Sequence, residues 1–127
     1  MKRFSKSWKA SKKPKKQRKY VANAPLHIKR KFLAAHLSKE LIKKYNRRSI
    51  PLRKGDTVKI LRGNFKKQIG KIEKVNLKRT KVFIENIQQI KRDGTKAYYP
   101  LHPSNLLITS LNLDDKKRKQ ILERTKK

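Results

Sequence analysis

Few side chains in this sequence are able to do chemistry. It has no Cys, three His and eight Asp or Glu, which excludes thiolate nucleophiles, disulfide frameworks and zinc knuckles together. His27 and His36 have neither a Cys nor a carboxylate at metal-ligand spacing, so they read as polar contacts, with phosphate as one partner. The acids stand mostly singly. The adjacent Asp114 and Asp115 invite a metal or catalytic reading, but carboxylates in a first helical turn favour the helix dipole without further chemistry, and Asp114 reads as the cap of a C-terminal helix. No His is set beside a Ser or carboxylate motif, and no phosphate-loop fingerprint occurs. The residues therefore support no enzyme, no cofactor, no metal and no small-molecule substrate, and the chemistry left is binding.

The binding residues gather around glycine. Three of the four glycines, Gly55, Gly63 and Gly70, fall within sixteen residues, in KGDTVKILRGNFKKQIGKI. A first strand ends at Gly63, a polar loop runs from Asn64 to Ile69, and Gly70 opens the next strand. Both glycines stand where a tight turn or a close backbone approach excludes a side chain. The exposed loop members Arg62, Asn64, Lys66 and Lys67, with Lys71 just beyond, fit a phosphate backbone, and Phe65 offers a flat face to a base or sugar. By spacing alone, the alternative is a charged hairpin loop.

Net charge names the partner class. Thirty-nine Lys and Arg against eight acids give +31, a charge that repels itself in a compact state unless a polyanion absorbs it. Nucleic acid is the leading partner. Residues 1–49 carry net +17, residues 50–110 net +10 and residues 111–127 net +4, so the front is the most cationic. No apolar run approaches the roughly 18 residues of a membrane span, and the basic N-terminus leads into more Lys rather than a signal-peptide core. The chain reads as intracellular, with no membrane partner and no homo-oligomer expected. KKPKKQRK, at 12–19, matches a nuclear import signal, but in so Lys-rich a chain such a match is expected by chance or as part of an RNA-binding arm.

The elements that must position these residues follow from periodicity. Residues 1–22 hold ten Lys or Arg, no acid and the scattered aromatics Phe4, Trp8 and Tyr20. Without helical or strand period, they read as a disordered arm. It is either a solubilising tail or an extension that lays Lys12, Lys13, Lys15, Lys16, Arg18 and Lys19 on phosphates and its aromatics on bases or in crevices. Residues 23–49 read as a short helical extension. Pro25 starts a helix carrying Leu26, Ile28, Phe32 and Ala35 with Lys29 and Arg30 among them; Ser38 caps a second helix that ends near Asn46, before Arg47 and Arg48, and these four cations read as further RNA contacts. From Ile50 the period becomes two. Val58 and Ile60, Ile72 and Val75, Val82 and Ile84, and Leu106 and Ile108 mark short strands, and Asp93–Gly94 signals a two-residue hairpin. Four or five antiparallel strands over 50–111 bury one face most economically by curling into a small barrel, and 112–127 add a basic helix and tail anchored by Ile121 and Leu122.

Val58, Ile60, Gly63, Lys66, Gly70 and Ile72 take the places of the KOW motif, which this stretch resembles; the usual central glycine is replaced by Lys67. The blocks NAPLHIKRK, LSKEL, KYNRRSIPLRKGD, GTKAYYPLHPSN and DDKKRKQILER extend the resemblance over about residues 17–125. They are similar to the large-subunit ribosomal protein family numbered twenty-four in bacteria and archaea and twenty-six in animals, in its archaeal and eukaryotic form, with YYPLHPSN and the brief C-terminal tail leaning archaeal. The resemblance implies a mainly β, SH3-like KOW barrel with basic extensions. It also implies a cytoplasmic place in the large ribosomal subunit, on rRNA near the nascent-chain tunnel exit beside other ribosomal proteins, and an early role in assembly. Carried over, it adds Asn23, Pro25, His27 and the stretch His102, Ser104 and Asn105 to the rRNA contacts, although Pro103 and Asn105 equally well form a plain turn. A transcription elongation factor needs a polymerase-binding domain for which neither flank has the apolar content, and a DNA-packaging protein leaves the glycine loop without a purpose.

Overall fold

A computed structural model describes residues 4, 5, 7, 8 and 10–124. Lys12 onward in the basic arm is therefore described, and the final residues 125–127 lie outside it. Within the described residues, four helices and eight strands follow in the order α1 (Pro14–Asn23), α2 (Leu26–Phe32), β1 (Ala34–Leu37), α3 (Lys39–Tyr45), β2 (Ser49–Pro51), β3 (Thr57–Ile60), β4 (Ile69–Asn76), β5 (Lys81–Ile84), β6 (Gln88–Ile90), β7 (Lys96–Tyr98), β8 (Leu106–Ser110) and α4 (Lys116–Glu123). Six strands make one sheet in the order β2-β1-β8-β3-β4-β5, and β6 and β7 pair separately. The fold is thus mixed and mostly β. Among the described residues no strand pairing closes the sheet, in contrast to the edge-free barrel expected, and β1 lies parallel to β8 where only antiparallel neighbours were anticipated.

Alternation builds the core. Val58 and Ile60, Val82 and Ile84, and Leu106 and Ile108 all turn the same way and are buried, together with Leu33, Ala35, Leu37, Ile72 and Leu122. Ile72 and Val75 lie three apart and cannot share a face of a regular strand. A bulge between Ile72 and Lys74 restores the match, setting Ile72 opposite Ile84 and Val75 opposite Val82. The Tyr98 hydroxyl of β7 is near enough to the Glu73 carboxylate of β4 for that acid to hold its pKa above the usual phenol value.

Several local expectations change. Pro14–Asn23, read as aperiodic arm, is a helix with Pro in its first turn and no buried residue. Lys, Arg and Gln are good helix formers, and Tyr20 joins Phe4, Trp8 and Phe32 in a ring cluster with centroids 4.6 to 6.0 Å apart. The segment after α2 does not continue as helix through Ala35, because Ala35 and Leu37 are buried around an exposed His36 in a strand that pairs with β2. Asp93–Gly94 closes a loop of three residues, not two: Lys91 N donates to Thr95 O, and Gly94 takes φ +80°. Ser38 caps α3 and Asn46 ends it in the left-handed region, as expected, but the cap of α4 is Asp115, one residue past Asp114.

The C-terminal helix is fixed by a charge. Arg118 is 3% exposed and forks onto Asp56, itself fully buried, through Nη1–Oδ1 at 2.6 Å and Nη2–Oδ2 at 2.7 Å. Arg118 also donates to the carbonyls of Asn112 and Pro51, and Asp56 accepts from the backbone N–H groups of Arg53 and Asn112. Such a pair tolerates burial only because nearly every remaining donor and lone pair is met.

Candidate nucleic-acid interface

The β3–β4 loop starts earlier than the sequence implied, because β3 stops at Ile60 and not at Gly63. Four backbone bonds set its shape: Lys67 N to Ile60 O at 2.8 Å, Ile60 N to Gln68 O at 2.9 Å, Lys66 N to Gly63 O at 3.1 Å and Gln68 N to Phe65 O at 3.2 Å. Two residues take left-handed backbone, Gly63 at φ +94° and Lys67 at φ +73°. Lys67 therefore keeps the backbone that a glycine adopts most easily, and the departure from the usual motif glycine is absorbed as local strain.

The two glycines act differently. A Cβ on Gly63 would meet nothing within 4 Å, so that glycine serves backbone conformation alone. A Cβ on Gly70 would lie 2.6 Å from Ile84 Cγ2 and 3.1 Å from Glu85 O, so Gly70 allows β4 and β5 to pack. Arg62, Asn64, Lys66 and Lys67 are exposed, as is Lys71 on β4. Phe65 is half-buried against the core and tilted over Tyr99 at 5.3 Å. Its ring is thus partly spent on packing, and Tyr99, which sequence reading did not single out, extends the aromatic surface beside the loop.

A second predicted segment is drawn to the first. Leu61 N donates to Asn105 O at 2.8 Å, placing the turn at Pro103–Asn105 against the base of the loop. This stretch folds as a turn, a shape that suits both a plain turn and an rRNA contact: Pro103 is buried, Ser104 N donates to His102 Nδ1 at 3.2 Å, and Nδ1 lies 2.7 Å from Ser104 Oγ. The sequence reading found no His beside a Ser, yet these two meet; the bond closes a local turn. Partial desolvation of the ring on this exposed turn, then the charge of Lys81, lowers the His102 pKa from its ordinary value and favours the neutral form that accepts at Nδ1. His102 and Ser104 remain exposed on the turn that meets the base of the loop.

The remaining predicted residues lie elsewhere. Lys15, Lys16, Arg18 and Lys19 are exposed on α1, with Lys12 and Lys13 just ahead of it, and Asn23 at its end borders a hollow beside Phe4, Trp8 and Tyr20. Pro25 is the N-cap of α2, where His27 and Arg30 are exposed, and Lys29 Nζ donates to Lys78 O at 3.1 Å. Arg48 is exposed beside the half-buried Arg47, which donates to the carbonyls of Ser49 and Ile121. Sequence reading missed Lys78 and Arg79 on the β4–β5 turn, although a polar NLKRT between two apolar strands is a readable turn signal. Asp56 and Arg118 gave no such signal, because nothing in their neighbours marks a charge as buried.

Among the described residues, no group of three or more His, Asp or Glu is placed to hold a metal ion, and no helix is long and apolar enough to cross a membrane. The molecule is of one class: a small, strongly cationic sheet protein whose charge stands on exposed turns and helices around a compact apolar core. The model of the ribosomal protein family that comprises L26 of eukaryotes and its archaeal counterpart numbered twenty-four matches residues 11–125. The chain is also similar to the large ribosomal subunit protein uL24 of Methanosphaera stadtmanae, at 48% identity over 114 residues, covering 90% of this chain and 97% of that one. It belongs to this family of eukaryotic and archaeal ribosomal proteins.

Proposed function

We propose that this protein is a structural component of the large ribosomal subunit that binds large-subunit rRNA and has no catalytic step. The observation that carries the reading is the junction of the β3–β4 loop with the His102–Asn105 turn through the Leu61–Asn105 bond. It gathers cations, an amide and two aromatic rings on backbone held by hydrogen bonds and left-handed residues, which is how a protein recognises the shape of folded RNA. The parallel with an SH3-like KOW barrel spanning 50–111 belongs to this reading and is supported by the matching motif positions. So does the division into a basic arm, a helical extension, a sheet domain and a C-terminal helix. A seat near the tunnel exit beside other ribosomal proteins, and entry early in assembly, complete the proposal; both come from the family resemblance alone, whereas the name of the Methanosphaera relative supports the large subunit only.

Binding gains most of its free energy from counterions released as Lys and Arg meet phosphates, so log affinity falls against log salt by about 0.7 to 0.9 per phosphate neutralised. Specificity comes from the fit of the fixed loop, and the extensions add area. Sedimentation of a cell extract tests the reading: the protein is expected to co-migrate with large subunits at low and moderately high salt. Migration at the top of the gradient in both conditions, with large subunits intact, overturns it.

A further inference from the structure

The cations that the loop does not use are not scattered at random. Arg18 of α1, Lys29 of α2, and Lys78 and Arg79 of the β4–β5 turn line one groove, with Val21 and Ala22 on its α1 wall. None of the groove's lining residues is acidic. The turn is shaped by its own backbone: Arg79 N donates to Asn76 Oδ1 at 3.1 Å, and Thr80 takes φ +51°. The Lys29 ammonium, donating to Lys78 O, draws α2 onto the same turn. Four positive charges brought together on fixed backbone repel one another until an anion is placed among them. The groove is open, which suits a continuous chain of phosphates better than a small free anion, for which a closed cradle of backbone N–H groups is the usual device.

Its position matters as much as its charge. The β3–β4 loop adjoins Ile69 at one end of β4, and the groove's turn begins at Asn76 at the other. Eight extended residues separate the two ends by about 23 Å. We propose that the groove between α1 and the β4–β5 turn is a second seat for RNA backbone, so that the protein holds two separate stretches of rRNA, one at each end of strand β4. The inference rests on the rRNA-binding reading above and gives it a mechanical consequence: the molecule is a cross-brace between RNA segments, not a one-sided cap.

The chain's lack of Cys makes the test direct. Leu77→Cys, on the turn, and Asn64→Cys, in the loop, each carry a benzophenone tether in the full chain reconstituted with large-subunit rRNA. Both tethers are expected to form RNA adducts, at nucleotides in different segments. Lys78→Gln with Arg79→Gln is expected to flatten the salt slope by about 1.4 to 1.8, in addition to the flattening from Lys66→Gln with Lys67→Gln. Adducts from Asn64 alone, adducts at the same nucleotides from both positions, or an unchanged slope in the turn variant each overturn the second seat while leaving the loop's role standing. Absence of adducts from both tethers overturns the rRNA reading itself, and the second seat with it.

Discussion

Gly63 and Gly70 close the same loop for different reasons, and substitution separates them. Gly63 faces open space with φ +94°, so Gly63→Val strains the backbone locally, and the expected outcome is weaker rRNA binding by a still folded protein. Gly70→Val drives side-chain atoms into Ile84 and the Glu85 carbonyl and is expected to cost about 1–3 kcal/mol of fold stability, as overpacking does. Thermal melts with parallel RNA titrations distinguish the two, and a large loss of stability in the Gly63 variant would contradict the assignment. Lys67 gives the converse experiment. At φ +73° it bears the cost of a left-handed side chain, so Lys67→Gly is expected to raise stability by about 0.5–1 kcal/mol after the extra chain entropy of glycine is set against the relief. The same change removes a cation and lowers the salt slope by just under one.

Among the elements, β3, β4, β5 and β8 were legible because their apolar residues alternate, and α3 because Ser38 and Asn46 carry the chemistry of its ends. The β1 strand was not, since four residues of AAHL cannot assert a period of two against the helical spacing of Leu26, Phe32 and Ala35. α1 was hidden by composition: the helix propensity of Lys, Arg and Gln is a weak signal when no apolar stripe accompanies it. The parallel pairing of β1 with β8 joins segments far apart in the chain, is a property of tertiary packing and leaves no local mark. The most consequential omission was Arg118. The sequence offered Ile121 and Leu122 as anchors of α4, but Ile121 is exposed and Arg118 takes its place in the interior beside Leu122. Arg118→Met leaves the Asp56 carboxylate buried without its partner, and a loss of about 3–5 kcal/mol in denaturant unfolding is expected. A loss below about 1 kcal/mol would show that α4 is held by Leu122 alone.

At the scale of the molecule, net charge of +31 pointed to a polyanion as partner, and residue type and spacing singled out the glycine-centred loop as the candidate site. What the sequence lacked was adjacency: that the loop meets the His102–Asn105 turn, that Phe65 leans on Tyr99, and that α1 faces the β4–β5 turn are consequences of the assembled sheet. Because α1 buries no residue, removal of residues 1–19 is expected to leave the sheet folded, with an almost unchanged melting temperature and a weaker, less salt-dependent grip on rRNA; unfolding on truncation would contradict that division. The central claim is that a rigid, glycine-shaped turn recognises folded rRNA by fit and not by charge alone. Competition measures this most directly: the protein bound to labelled large-subunit rRNA is challenged with duplex DNA or heparin at equal anion concentration. Retention on the rRNA is predicted, with Gly63→Val selectively weakening that retention, whereas equal partition of the native protein among all three polyanions would contradict the account.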